Sequence, residues 1–107
     1  MSRLEALLAT QLAYAGLGGF KAQFRAIAGR RFAWDFAWPE SRLLVEVQGG
    51  TFARGKTGHS TGMGINRDCE KNNLAVLAGW RCLSVDTKQV QSGQALLWIQ
   101  LALKEAA

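Results

Sequence analysis

The spacing of hydrophobic positions changes along the chain, and each change marks an expected element. Helical spacing predicts a first helix over residues 2–15, ended by the glycines that follow it. Its apolar stripe consists of Leu4, Leu7, Leu8 and Leu12. Weak apolar–polar alternation over residues 20–27 then predicts a first strand. The chain therefore opens with a helix followed by a strand.

Two apolar runs flank a Pro-Glu-Ser-Arg turn and predict a hairpin with strands over residues 31–38 and 42–48. Folding the chain about Glu40-Ser41 puts position 35 opposite position 46. One face of the hairpin receives the bulky residues Phe32, Trp34, Phe36, Trp38, Leu43, Val45 and Val47. The other face receives Ala33, Asp35, Ala37, Leu44, Glu46 and Gln48. An odd-length turn would slip this register by one residue and separate the two acids.

A glycine-rich segment over residues 49–64 follows the hairpin and is too long for a simple connector, so we expect it to be functional or mobile. A helix over residues 66–78, a strand over 80–85 and an amphipathic helix over 89–105 complete the pattern. The predicted order is α-β-β-β-α-β-α. With 107 residues, the chain is expected to form a single α/β domain over residues 1–107.

Charge and composition narrow the function classes. Thirteen basic and eight acidic residues give a net charge of +5, which favours an anionic partner without separating nucleic acid from an acidic protein or a membrane surface. No apolar run is long enough to span a membrane, and the amino terminus lacks a signal-peptide pattern. We therefore expect a cytoplasmic protein. Cys69 and Cys82 are expected to be reduced core residues, because their spacing fits no zinc site.

Two acids on facing strands are the strongest chemical signal. Like charges placed opposite each other on a sheet repel, so Asp35 and Glu46 predict a divalent cation between them. Hard cations such as Mg²⁺ take carboxylate oxygens and water, and the backbone carbonyl of Val47 could serve as a third ligand. Gln48 shares a face with Glu46 and could orient a water molecule. The alternative is that both acids are ordinary solvent-facing residues of an amphipathic hairpin.

The acids and their surroundings resemble the PD-(D/E)XK nuclease superfamily, in which an Asp is followed after about ten residues by Glu-x-Lys. The resemblance is to its small single-domain branch, akin to very-short-patch repair endonucleases and phage-borne relatives. The segments that carry it are Trp34-Asp35-Phe36-Ala37-Trp38-Pro39, Val45-Glu46-Val47-Gln48-Gly49-Gly50, Asp68-x-x-Lys71-x-Asn73 and Gly79-Trp80-Arg81.

This resemblance implies a restriction-endonuclease-like αβββαβα core, with a mixed central sheet flanked by helices. It implies a metal-dependent DNA endonuclease of a bacterial or phage-infected cell, structure-specific in repair or phage recombination. Asp35 and Glu46 would bind Mg²⁺ or Mn²⁺, and Glu5 would match an acid that some members carry on the first helix. One such domain makes one cut, so cleaving both strands would require a homodimer.

Gln48 departs from the superfamily pattern, which usually has lysine at this position. Lys71 on the following helix is the first candidate for a displaced lysine, with Lys56 and His59 behind it. Glu5 has a second interpretation, because Ser2-x-x-Glu5 is a capping box that stabilises the first helical turn without any catalytic purpose.

Basic side chains after the hairpin are the expected phosphate contacts: Arg54, Lys56, His59, Arg67 and Lys71. The alternative is a solvated helix face, with Asp68 and Lys71 forming a local pair. Two other functions also stay open. One is a nuclease-fold DNA-binding protein without catalysis, favoured by Gln48, and the other is a basic module for an acidic protein partner.

Overall fold

The computed structural model describes the backbone of residues 1–49 and 62–106, and the side chains of residues 1–49 and 64–104. Its helices are α1 (Arg3–Tyr14), α2 (Gly62–Leu77), α3 (Thr87–Ser92) and α4 (Gln94–Ala106). Its strands are β1 (Lys21–Phe24), β2 (Trp34–Trp38), β3 (Leu43–Gln48) and β4 (Arg81–Asp86). The predicted α/β class is confirmed. None of the described helices is both long and apolar enough to cross a bilayer.

The four strands form one mixed sheet in the order β1-β2-β3-β4. The first two pairings are antiparallel, and β3 and β4 run parallel because α2 lies between them in the chain. In the hairpin, Phe36 pairs with Val45 and Trp38 with Leu43. Continuing this register by one residue places Asp35 opposite Glu46. The predicted hairpin and its register are therefore confirmed.

Helices cover both faces of the sheet. On one face, α1, α3 and α4 bury a cluster made of Leu8, Leu12, Phe36, Leu43, Val45, Val85, Val90, Ala95 and Ile99. On the other face, α2 covers a smaller cluster made of Trp34, Ala37, Leu44, Ala75 and Trp80. The second hairpin face is thus buried as well, and Glu46 contacts Lys71 of α2.

The predicted assignment of Phe32 and Trp34 to the face of Phe36 is wrong, because both pack on the α2 side. The alternation breaks where β1 and β2 pair, at the position of Gln23, whose φ is +48°. Phe20 packs edge-on against Phe36, whereas Phe24, four residues later, packs against Trp80 on the opposite face. A residue in the left-handed region rotates its own strand, so Phe20 and Phe24 lie on opposite faces, and Trp34, which pairs with Phe24, lies with it on the α2 face.

The carboxyl-terminal helix differs from its prediction. It is divided into α3 and α4 at Gly93, whose φ of +90° suits glycine and ends a helix. Helix α3 begins before residue 89 because Asp86 and Gln89 form a reciprocal capping box. The prediction took Gln89 as a helix start, whereas it occupies the third helical position.

The cysteine predictions have mixed outcomes. Cys69 is exposed on α2, so its assignment to the core is wrong, while Cys82 on β4 is half-buried. Neither cysteine is in a disulfide.

Candidate functional site

The Glu46 network joins β3 to α2. Lys71 Nζ lies 2.5 Å from Glu46 Oε1, donates a second hydrogen bond to the Ala33 carbonyl oxygen at 2.8 Å, and stands 4.8 Å from the centre of the Trp34 ring. The two charged side chains are only 17% and 23% exposed, so solvent screens this ion pair less than a surface pair. Lys71 therefore pairs with Glu46 across 25 residues of sequence, and the local Asp68–Lys71 ion pair is not formed.

Burial raises the pKa of Glu46 above its usual 4.5, since removing a carboxylate from water disfavours the charged form. The hydrogen bond and the positive charge of Lys71 oppose this shift without cancelling it. The negative charges of Asp35 and Asp68 add to it. Among the described residues, the charges that act at this half-buried position are thus three carboxylates (Glu46, Asp35 and Asp68) and one cation, the Lys71 ammonium.

The Asp35 network lies beside the Glu46 network, at the end of β2. Asp35 Oδ2 accepts a hydrogen bond from the Val47 backbone N–H at 2.7 Å. The side-chain amide of Gln23 donates to Asp35 Oδ1 at 3.3 Å and to Glu5 Oε1 at 3.4 Å. A single amide group therefore bridges the carboxylates of two residues that the sequence nominated for the site.

The oxygen atoms between the two networks are suitable ligands for a hard divalent cation. The N–H and C=O of one strand residue point to the same neighbouring strand, so the Val47 carbonyl is directed to the side of Asp35. Among the described residues, no group of three or more His, Cys, Asp or Glu side chains is placed to hold a metal. Mg²⁺ commonly takes only one or two carboxylates plus water. Asp35, Glu46 and the Val47 carbonyl supply that number and type of ligand.

A cavity of about 220 Å³ opens beside the Glu46 network. Its walls are formed by Trp34, Glu46, Gln48, Asp68, Lys71, Asn72, Cys82, Leu83 and Ser84. Gln48 and Lys71 thus face one space from different elements, one from β3 and one from α2. Burial, followed by the charge of Glu46, raises the pKa of the Cys82 thiol, so this group is not an activated nucleophile.

Six of the nominated positions lie in these two networks and the cavity: Glu5, Asp35, Glu46, Val47, Gln48 and Lys71. Arg67 is exposed and lines a different cavity, whereas Arg54, Lys56 and His59 lie outside the described residues. Ser2 does cap α1 through the Glu5 N–H, yet the Glu5 carboxylate reaches Gln23. Both interpretations of Glu5 are therefore compatible with its contacts.

Gln23 is the residue that sequence reasoning missed. It lies opposite Asp35 in the β1–β2 register, which could have suggested proximity, but β1 was placed by weak alternation alone. Its left-handed backbone has no sequence signal, because glycine and asparagine are the residues expected there.

Searches of protein-family models, of curated proteins and of solved structures each return no match for this chain. The geometry of the two networks and the cavity is therefore the basis for a functional proposal.

Removing the Lys71 ammonium should raise the pKa of Glu46 further, because both of the effects that lower it come from Lys71. We expect a Lys71→Met variant to show this in a ¹³C NMR titration of the carboxyl carbon, with divalent cations chelated. Because the pKa of Glu46 is higher in the folded than in the unfolded chain, protonation of Glu46 contributes to the free energy of unfolding. This contribution is fully present at pH below about 4.5 and is lost as pH rises through the folded-state pKa.

The stability of Lys71→Met relative to wild type should consequently fall more at neutral pH than in acid. Lys88→Met, on exposed Lys88, is the matched control and should leave the Glu46 titration unchanged. An unchanged or lowered Glu46 pKa in Lys71→Met would contradict the account of the ion pair.

Proposed function

We propose that this chain is a metal-dependent DNA endonuclease with a restriction-endonuclease-like core. The supporting observation is that Lys71 of α2 pairs with Glu46 of β3 beside the cavity that Gln48 also lines. The nuclease pattern places a lysine two residues after the acid, where this chain has Gln48. The Lys71 side chain, which comes from α2 instead of β3, supplies an ammonium group at the cavity that Gln48 lines.

The residues have distinct parts in hydrolysis of a phosphodiester. A divalent cation held by Asp35, Glu46 and the Val47 carbonyl would neutralise phosphate charge and acidify a water molecule. As the water oxygen bonds to phosphorus and the ester oxygen departs, negative charge grows on the phosphoryl oxygens. The Lys71 ammonium is positioned to stabilise that charge, since the half-buried site strengthens its field.

The remaining polar groups orient these participants. The Gln48 side chain lines the cavity and could position the attacking water through its amide. Gln23 keeps the carboxylates of Glu5 and Asp35 together. Because a single copy of this arrangement makes one cut, the expected product is a nick. Double-strand cleavage would need two copies of the chain.

The direct test is nicking of supercoiled plasmid with Mg²⁺, with Mn²⁺ and with chelator. We expect nicking only with a divalent cation, and none with Glu46→Gln, although that variant should still bind DNA. Glu40→Gln is the matched control, because Glu40 is an exposed acid in the hairpin turn. Nicking in chelator, or undiminished nicking by Glu46→Gln, would contradict the proposal.

One observation favours a second candidate, a DNA-binding protein of the same fold that does not cleave. Glu46 is already paired with Lys71, so this acid is compensated without any cation. Under this alternative, wild type binds DNA with equal affinity with or without divalent cations and never nicks it. The plasmid assay above separates the two candidates.

A further inference from the structure

A second cavity, of about 470 Å³, lies between the segment that precedes β2 and the first half of α2. It is lined by Gly29, Arg30, Arg31, Phe32 and Arg67. We call this the arginine cavity. Three arginine residues contribute to this one cavity, and like charges brought together repel one another, so a surface of this kind is suited to an anionic occupant.

Two of the three arginines are uncompensated. Arg30 is paired with Glu70 at 2.6 Å and its guanidinium carbon lies 4.7 Å from the centre of the Phe32 ring. These contacts join the segment before β2 to α2 at the cavity. Arg31 and Arg67 are exposed, and neither has an ion-pair partner in the part of the chain that the structure describes.

The arginine cavity adjoins the candidate active site along two elements. Arg67 and Lys71 are four residues apart on α2, so they share a helix face and are separated by about 6 Å along the axis. Arg31 precedes Ala33 by two residues, and the Ala33 carbonyl accepts a hydrogen bond from Lys71. The arginine cavity is therefore adjacent to Lys71 along both elements.

We propose that the arginine cavity binds backbone phosphates of the DNA strand that enters the candidate active site. This inference rests on the proposed function, because the proposed function is what places the same DNA strand in the candidate active site. The separation of about 6 Å along the helix is short enough for Lys71 and Arg67 to contact neighbouring phosphates of one strand. One guanidinium group can donate two parallel hydrogen bonds to the oxygens of one phosphate, so arginine is well suited to this contact.

The test compares Arg31→Ala/Arg67→Ala with Lys88→Ala/Lys104→Ala. The control removes two exposed cations from α3 and α4, on the opposite face of the sheet. Binding to a fluorescent DNA duplex is followed by anisotropy in chelator over a series of salt concentrations. We expect the arginine variant to bind about tenfold more weakly at low salt, uniformly across DNA sequences. Its slope of log affinity against log salt should be shallower by about 0.9 for each phosphate that the variant no longer neutralises.

The outcome is independent of cleavage, so failure of this inference and of the proposed function can be told apart. A wild type that never nicks, but whose salt slope depends on Arg31 and Arg67, would overturn the nuclease and leave the phosphate contact standing. An unchanged slope in the arginine variant would overturn the phosphate contact, whatever the plasmid assay shows. Binding of wild type to polyglutamate but not to DNA would also overturn it and assign the cavity to an acidic protein.

Discussion

An Asp35→Asn variant is expected to nick plasmid at least about 100-fold more slowly than wild type. The substitution removes the charge that we assign to the cation and keeps an oxygen able to accept the Val47 N–H, while the hydrogen bond from Gln23 is lost because the Asn amide nitrogen is a donor. DNA affinity should stay within about threefold of the wild-type value, because phosphate contacts lie elsewhere. Nicking rates and fluorescence anisotropy measure the two quantities separately.

Glu40→Gln is the control for Asp35→Asn, since it removes one acid from the same hairpin at an exposed position. It should nick at the wild-type rate. A wild-type rate for Asp35→Asn would remove Asp35 from the mechanism, whereas equal losses of nicking and binding would make Asp35 a binding residue.

Lys71→Met should lower the nicking rate by about 10²- to 10³-fold, the typical cost of removing one group that stabilises transition-state charge. Methionine preserves the apolar stem beside Trp34 but leaves Glu46 half-buried without its cation. A loss of about 1–3 kcal/mol in the free energy of unfolding should accompany the change. Rates are therefore compared well below the melting temperature of the variant, as measured by circular dichroism.

The sharper version of this experiment moves the lysine to another position. Gln48 lines the same cavity as Lys71, so Gln48→Lys in the Lys71→Met background should recover at least about tenfold of the lost rate. Lys88→Met controls for the loss of one exposed positive charge. A Lys71→Met variant that nicks normally, or a double variant that recovers nothing, would show that the ammonium does not act in this cavity.

The hairpin could be predicted because its determinants are local. The turn fixes the register, and apolar alternation then places Phe36, Leu43 and Val45 on one face. The change of face at Gln23 could not be predicted in this way. It depends on a left-handed backbone at a residue type that rarely adopts one.

The acidic residues of the candidate site could be predicted from the sequence, but their contacts with residues of other elements could not. Asp35 and Glu46 are close in sequence, and one turn relates them. Lys71 could be nominated only as a displaced lysine, since its contact with Glu46 depends on how α2 crosses back over the sheet. The arginine cavity likewise joins Arg31 and Arg67 from elements that no local pattern relates.

In the proposed mechanism, Asp35 and Glu46 hold one divalent cation together with the Val47 carbonyl. Anomalous scattering from crystals grown with Mn²⁺ locates such an ion. We expect one strong peak about 2.0–2.5 Å from an oxygen of each carboxylate and from the Val47 carbonyl oxygen. Mn²⁺ bound elsewhere on the chain, or no bound ion at saturating Mn²⁺ while Lys71 remains paired with Glu46, would contradict it.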